Sequence, residues 1–143
     1  MMKPSISYIT LGVDDLERSL VFYRDGFGWP TDGVMGTEFE HGAVVFFKLE
    51  CGITFALWPR CSIANEAGIA RGCRDASGLM LAHNVASAAE VDTIMAHLQG
   101  FGATVQKGAQ PLFWGGYGGL IADPDGHLWE IVYNPHNSTV ANL

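Results

Sequence analysis

The sequence predicts an α+β protein assembled from two βαβββ units. Three observations carry that expectation. The same order of elements (a strand, an amphipathic helix, then three short strands) occurs twice along the chain. Both helical stretches run out in the same tripeptide, Gly26-Phe27-Gly28 and Gly100-Phe101-Gly102. The segment between the copies has no sustained apolar periodicity. One unit is expected over about 5–60 and the other over about 78–135, with a linker or mobile cover at about 61–77 and a tail at 136–143. A chain of 143 residues suits one compact domain with a sizeable core.

In the first unit, Ile9, Leu11 and Val13 alternate with Tyr8, Thr10 and Gly12, the pattern of a strand covered on one face. Asp14 is expected to cap the next helix, with Glu17 completing a capping box. Leu16, Leu20, Tyr23 and Phe27 form its apolar stripe. Strands are then expected near residues 36–40, in AVVFFKLE and in ITFALW, with Gly42 and Cys51-Gly52 as turns.

The second unit opens with LMLAHNV as a strand. Ser87 and Glu90 make a better capping box, and Val91, Ile94, Leu98 and Phe101 make the helical stripe. ATVQK, YGGLIAD and HLWEIVY are the three strands that follow. Asp123-Pro124-Asp125-Gly126 has the residue order of a type I turn and joins the last two of them in antiparallel fashion. Beyond it Leu128, Glu130 and Val132 share one face, and Trp129, Ile131 and Tyr133 the other. Both faces are mostly apolar, so this strand is expected inside its sheet with helices behind it. Glu130 is then a carboxylate in a buried strand. It suits a metal ligand, a catalytic base, a substrate contact or the remnant of a lost site.

Composition narrows the partners. The formal net charge is −7 without a Lys/Arg cluster, which argues against nucleic acid and anionic membranes. No apolar run is long enough to span a bilayer, and MMKPSISYIT lacks the layout of a signal peptide. Cys51, Cys61 and Cys73 are odd in number and lack C-x-x-C spacing, so they read as free thiols of a cytoplasmic protein. Asn137-Ser138-Thr139 has glycosylation-acceptor spacing, which carries no weight without a secretion signal.

The repeated units, together with VDDLERSLVFY (13–23) and DPDGHLWE (123–130), resemble the vicinal-oxygen-chelate superfamily. That group includes glyoxalase I, bleomycin-resistance proteins, fosfomycin-resistance proteins and extradiol dioxygenases. The resemblance runs from about Ile6 to Pro135 and implies a cupped, mostly antiparallel sheet with helices on its outer face. It also implies a divalent-metal site in the metal-dependent members, with His or Gln, Glu, His and Glu as ligands. Carried over, these positions fall on Tyr8, most closely on Ala56 among Thr54, Ala56 and Trp58, on Met80, and on Glu130. One of four is kept. A divalent transition metal needs three or more N, O or S ligands at once, so neither a metal nor another cofactor is expected. His83 would restore a ligand only if the strand slipped by one residue.

The resemblance also makes Tyr8 the natural partner of Glu130, its hydroxyl replacing a metal contact. These two are the candidate catalytic residues. Thr10, Trp58, Met80, Asn84 and Trp114 are the candidate substrate contacts. The glycines of WGGYGG (114–119) would let a backbone approach a ligand or another chain closely. Two functions stay open: an enzyme using Glu130 as acid or base without metal, and a binding protein of the bleomycin-resistance type. Metal-dependent lyase or dioxygenase chemistry comes third. The expected partners are a small cytoplasmic molecule and a second copy of the chain.

Overall fold

The computed structural model describes residues 1–136. Asn137-Ser138-Thr139, and the tail beyond His136, lie outside the described residues. The chain divides into two compact units, Met1–Cys73 and Arg74–Leu143. Each is a four-stranded mixed sheet backed by a helix, so the α+β class and the βαβββ repeat stand.

In the first unit the strands are β1 (Tyr8–Val13), β2 (Val34–Met35), β3 (Val44–Lys48) and β4 (Thr54–Pro59). Their order in the sheet is β1-β4-β3-β2; β1 and β4 run parallel and the other pairs antiparallel. Helix α1 (Leu16–Val21) starts at Asp15, whose carboxylate accepts from the Arg18 N–H at 3.1 Å. The cap is therefore Asp15 and not Asp14. Asp14 instead faces Arg60, with 3.3 Å between carboxylate and guanidinium. The helix widens into a π turn over Phe22–Gly26, and the Phe27 N–H donates to the Phe22 carbonyl. Tyr23, fully buried, meets Phe27, Trp29, Phe47 and Phe55 at ring-centroid separations of 4.8–6.2 Å. This aromatic block fills the space between α1 and the sheet, where each ring buries a large apolar area.

Two expectations fail here for local reasons. Residues 36–40 form a turn, not a strand. Gly36 has φ +79°, and a Cβ there would sit 2.2 Å from the Gly42 carbonyl oxygen. The chain closes on itself through Phe39 N–H to Gly36 O and Gly42 N–H to Phe39 O. The linker contains a helix, α2 (Arg60–Ala67), ended by Gly68 at φ +68°. Its buried residues are Ser62 and Ala64, too small to announce an apolar stripe. Arg60 fastens α2 at both ends of its reach, pairing with Asp14 and donating to the Gly72 carbonyl.

The second unit repeats the plan with β5 (Met80–Val85), α3 (Ala88–Gln99), β6 (Thr104–Pro111), β7 (Tyr117–Ala122) and β8 (Leu128–Tyr133). Sheet order is β5-β8-β7-β6, again with only the first pair parallel. The capping box forms: the Ser87 hydroxyl accepts from Glu90 N–H at 3.2 Å, and the Glu90 carboxylate accepts from Ala86 N–H at 3.0 Å. Val91, Met95 and Leu98 are the buried stripe of α3, with Met95 unforeseen and Phe101 left exposed. The turn before β8 closes through Gly126 N–H to Asp123 O at 2.9 Å. Asp123, only 3% exposed, accepts from the N–H groups of Asp125 and His127.

The glycines of 114–119 serve internal packing rather than an approaching ligand or chain. A Cβ on Gly116 would lie 2.2 Å from the Trp114 ring, one on Gly118 2.7 Å from the Ile131 carbonyl, and one on Gly119 2.6 Å from the Met95 sulfur.

Candidate functional site

Strand parity divides each sheet into a face under α1 or α3 and a far face. In the first unit Leu11, Val13, Val45, Phe47, Phe55 and Leu57 are buried on the helix side. The far face is then read from the register. Lys48, Thr54 and Tyr8 form one rung across β3, β4 and β1; Phe46, Ala56 and Thr10 form the next. Gly12 and Trp58 form the third. There α2 closes the face, because a Cβ on Gly12 would come within 2.9 Å of the Arg60 stem.

A pocket of about 230 Å³ lies on the first rung, lined by Tyr8, Asp32, Gly33, Met35, Phe46, Lys48 and Thr54. Tyr8 is 61% exposed, and its ring meets the edge of Phe46 at 6.4 Å. One wall is held by Thr31, whose hydroxyl donates to the Phe46 carbonyl at 2.6 Å and accepts from Gly33 N–H at 3.2 Å. That bracket sets Asp32 and Gly33 (φ +83°) beside β3. Of the residues picked from sequence, only Tyr8 lines this pocket. Thr10 is exposed on the next rung. Trp58 is two rungs from Tyr8, its indole N–H donating to the His41 carbonyl at 2.9 Å. His41 in turn meets the Ser62 hydroxyl at 3.1 Å.

In the second unit the far-face rungs are Ala122, Leu128 and Met80, then Leu120, Glu130 and Ala82, then Gly118, Val132 and Asn84. Glu130 thus stands on β8, an inner strand as expected, between β7 and β5. Its surroundings differ from the expectation. Glu130 is half-buried, while Met80, Ala82 and Asn84 on the edge strand β5 are exposed. No hydrogen bond or ion pair engages the Glu130 carboxylate within its unit among the described residues. Its buried strand-mates Trp129 and Ile131 point to the helix side. Trp114 sits in the β6–β7 turn, which Leu112 N–H closes onto Gly116 O at 2.8 Å, and its ring lies over Gly116.

His83 pairs with Ile131, so it takes the α3 side of β5 and there is no slip. Desolvation holds its imidazole below the ordinary 6.5, against the opposing pull of the Glu90 charge. The four positions carried over from the resemblance hold a phenol, a methyl group, a thioether and one carboxylate. Ala56 has no donor atom and a Met thioether is a soft ligand, so the set does not suit a divalent metal. Among the described residues no three His, Cys, Asp or Glu side chains gather as a metal-binding group. Cys51, Cys61 and Cys73 are exposed and unpaired, as expected. No helix among the described residues is long and apolar enough to cross a membrane.

Known proteins give the same fold. The chain is 34% identical to a glyoxalase-related enzyme from Fulvimarina pelagi, with TM-score 0.80 over 93% of this chain and 90% of that one. It is 23% identical to a lactoylglutathione lyase from Agrobacterium tumefaciens (TM-score 0.66, covering 93% and 96%). A fosfomycin resistance protein from Listeria monocytogenes is 20% identical (TM-score 0.68, covering 94% and 97%). No curated protein matches significantly. The model of the Glyoxalase/Bleomycin resistance protein/Dioxygenase superfamily matches residues 5–131. The chain belongs to that superfamily.

Proposed function

We propose that this protein binds a small molecule against the far faces of its sheets and uses Glu130 as a proton acceptor or donor, without the superfamily's metal. One observation carries the reading. At the positions where the metal-dependent members hold ligands, this chain keeps only Glu130, with Tyr8, Ala56 and Met80 in the other places. A carboxylate that no unit-mate engages is free to exchange a proton with a bound molecule. Tyr8, with its phenol on the exposed rung of β1, is the other candidate catalytic residue. Thr10, Trp58, Met80, Asn84 and Trp114 remain candidate contacts for the rest of the molecule.

A second reading is sequestration without chemistry, favoured by the exposed apolar side chains of the far faces, Tyr8, Met35, Phe46 and Met80. Those same side chains suit a homodimer in which such surfaces are covered, and light scattering at micromolar concentration decides that. Three exposed thiols suit a reducing compartment such as the cytoplasm. Glu130→Gln separates the two functional readings. Once a compound screen followed by Trp fluorescence has found a ligand, the enzyme reading predicts lost turnover with ligand affinity kept. Under the binding reading the wild type shows no turnover at all.

A further inference from the structure

We infer that Lys48 is the charge-recognition residue of the pocket on the first unit's far face, and that its ligand is a compact aromatic or apolar molecule with one anionic group. This rests on the reading that the far faces bind a small molecule and names the class of that molecule. Lys3, Lys48 and Lys107 are the chain's three lysines. Strand parity sends Val45 and Phe47 into the core and turns Phe46 and Lys48 to the far face, where both line the pocket. Arg24, Arg60 and Arg74 each face a carboxylate at 2.8–3.4 Å. Lys48 has no such partner among the described residues. In a chain of net charge −7, an ammonium left unneutralised on a pocket wall attracts an anion.

The rest of the lining shapes that anion. Phe46, Met35 and the Tyr8 ring offer apolar walls, and the Thr54 hydroxyl shares the rung of Lys48. Asp32 repels a second negative group and accepts a hydrogen bond instead. The volume, about 230 Å³, is below the roughly 300–1,000 Å³ of sites for drug-sized ligands, so one ring with a short polar arm is the fitting size.

Protein carrying 13Cε-lysine gives three lysine signals, and the test titrates it with benzoate, its neutral analogue benzamide, and the dianion terephthalate. Benzoate should shift the Lys48 signal and leave Lys3 and Lys107 in place. Benzamide should bind about fivefold more weakly, the scale of one solvent-exposed ion pair. Lys48→Met should erase that preference and Lys48→Arg keep it. Terephthalate should bind more weakly than benzoate, and Asp32→Asn should close that gap. The inference is overturned if the Lys48 signal stays still, if all three lysines move together, if Lys48→Met keeps the preference, or if terephthalate binds best. The titration reads binding at Lys48 whether or not any turnover is found, so failure of the acid-base reading and failure of this one are told apart.

Discussion

Ala56 occupies in β4 the place that Glu130 occupies in β8. Each is the third residue of an inner strand, paired in parallel with the third residue of its unit's first strand, Thr10 or Ala82. The two units therefore share a backbone plan at this position, with a methyl group in the first and a carboxylate in the second. On the first two far-face rungs, the charged side chains are Lys48 in the first unit, and Glu130 with Lys107 (paired with Leu120 at the β6 edge) in the second.

The turn before β8 depends on Asp123, buried and accepting from two backbone N–H groups at 2.9 and 2.8 Å. Asp123→Ala leaves both donors unpaired and should cost about 1–3 kcal/mol, read as a lower urea midpoint with unchanged slope. Asp123→Asn keeps an acceptor and should recover much of that loss.

Gly118 lies against the backbone of β8. A methyl group there meets the Ile131 carbonyl at 2.7 Å and the Val132 Cα at 3.1 Å, and a backbone cannot rotate aside. Gly118→Ala should destabilise by about 1–3 kcal/mol in thermal unfolding. A neutral result would return these glycines to a role in ligand approach.

Burial holds the His83 imidazole below 6.5 in the folded protein, so the unfolded chain takes up the proton first. Stability from this group is complete above pH 6.5 and falls as pH drops below it. Asp25, held below 3.8 by its hydrogen bond from Arg24, and Asp75, held there by those from Ser77, act only at lower pH. His83→Gln should flatten the decline below pH 6.5 in denaturation measured against pH. Because much of the ring is open to solvent, the effect is small.

The two units were legible because the signals were local. Alternation in Tyr8–Val13, the Ser87–Glu90 box and the Asp123–Gly126 turn each involve neighbours in sequence. Helix α2 was not, because Ser62 and Ala64 bury small side chains and leave no stripe. Asp14 and Asp15 are adjacent and equally able to cap; the pairing of Asp14 with Arg60, far along the chain, accompanies the cap on Asp15. The pocket was missed for a related reason. In AVVFFKLE, Lys48 looks like the solvated side of a strand until the Thr31 bracket brings Asp32 and Gly33 beside it. Glu130 was found, but its half-exposed setting depends on the neighbouring edge strand, which parity alone does not reveal.

The metal content of protein purified without chelator tests the central claim most directly, since that claim is that Glu130 works without an ion. With Ala56 and Met80 at two of the four positions, Ni, Zn, Fe and Mn should each be well below one per chain. One tightly held ion per chain, lost in Glu130→Ala, would contradict the account and restore metal chemistry to the site.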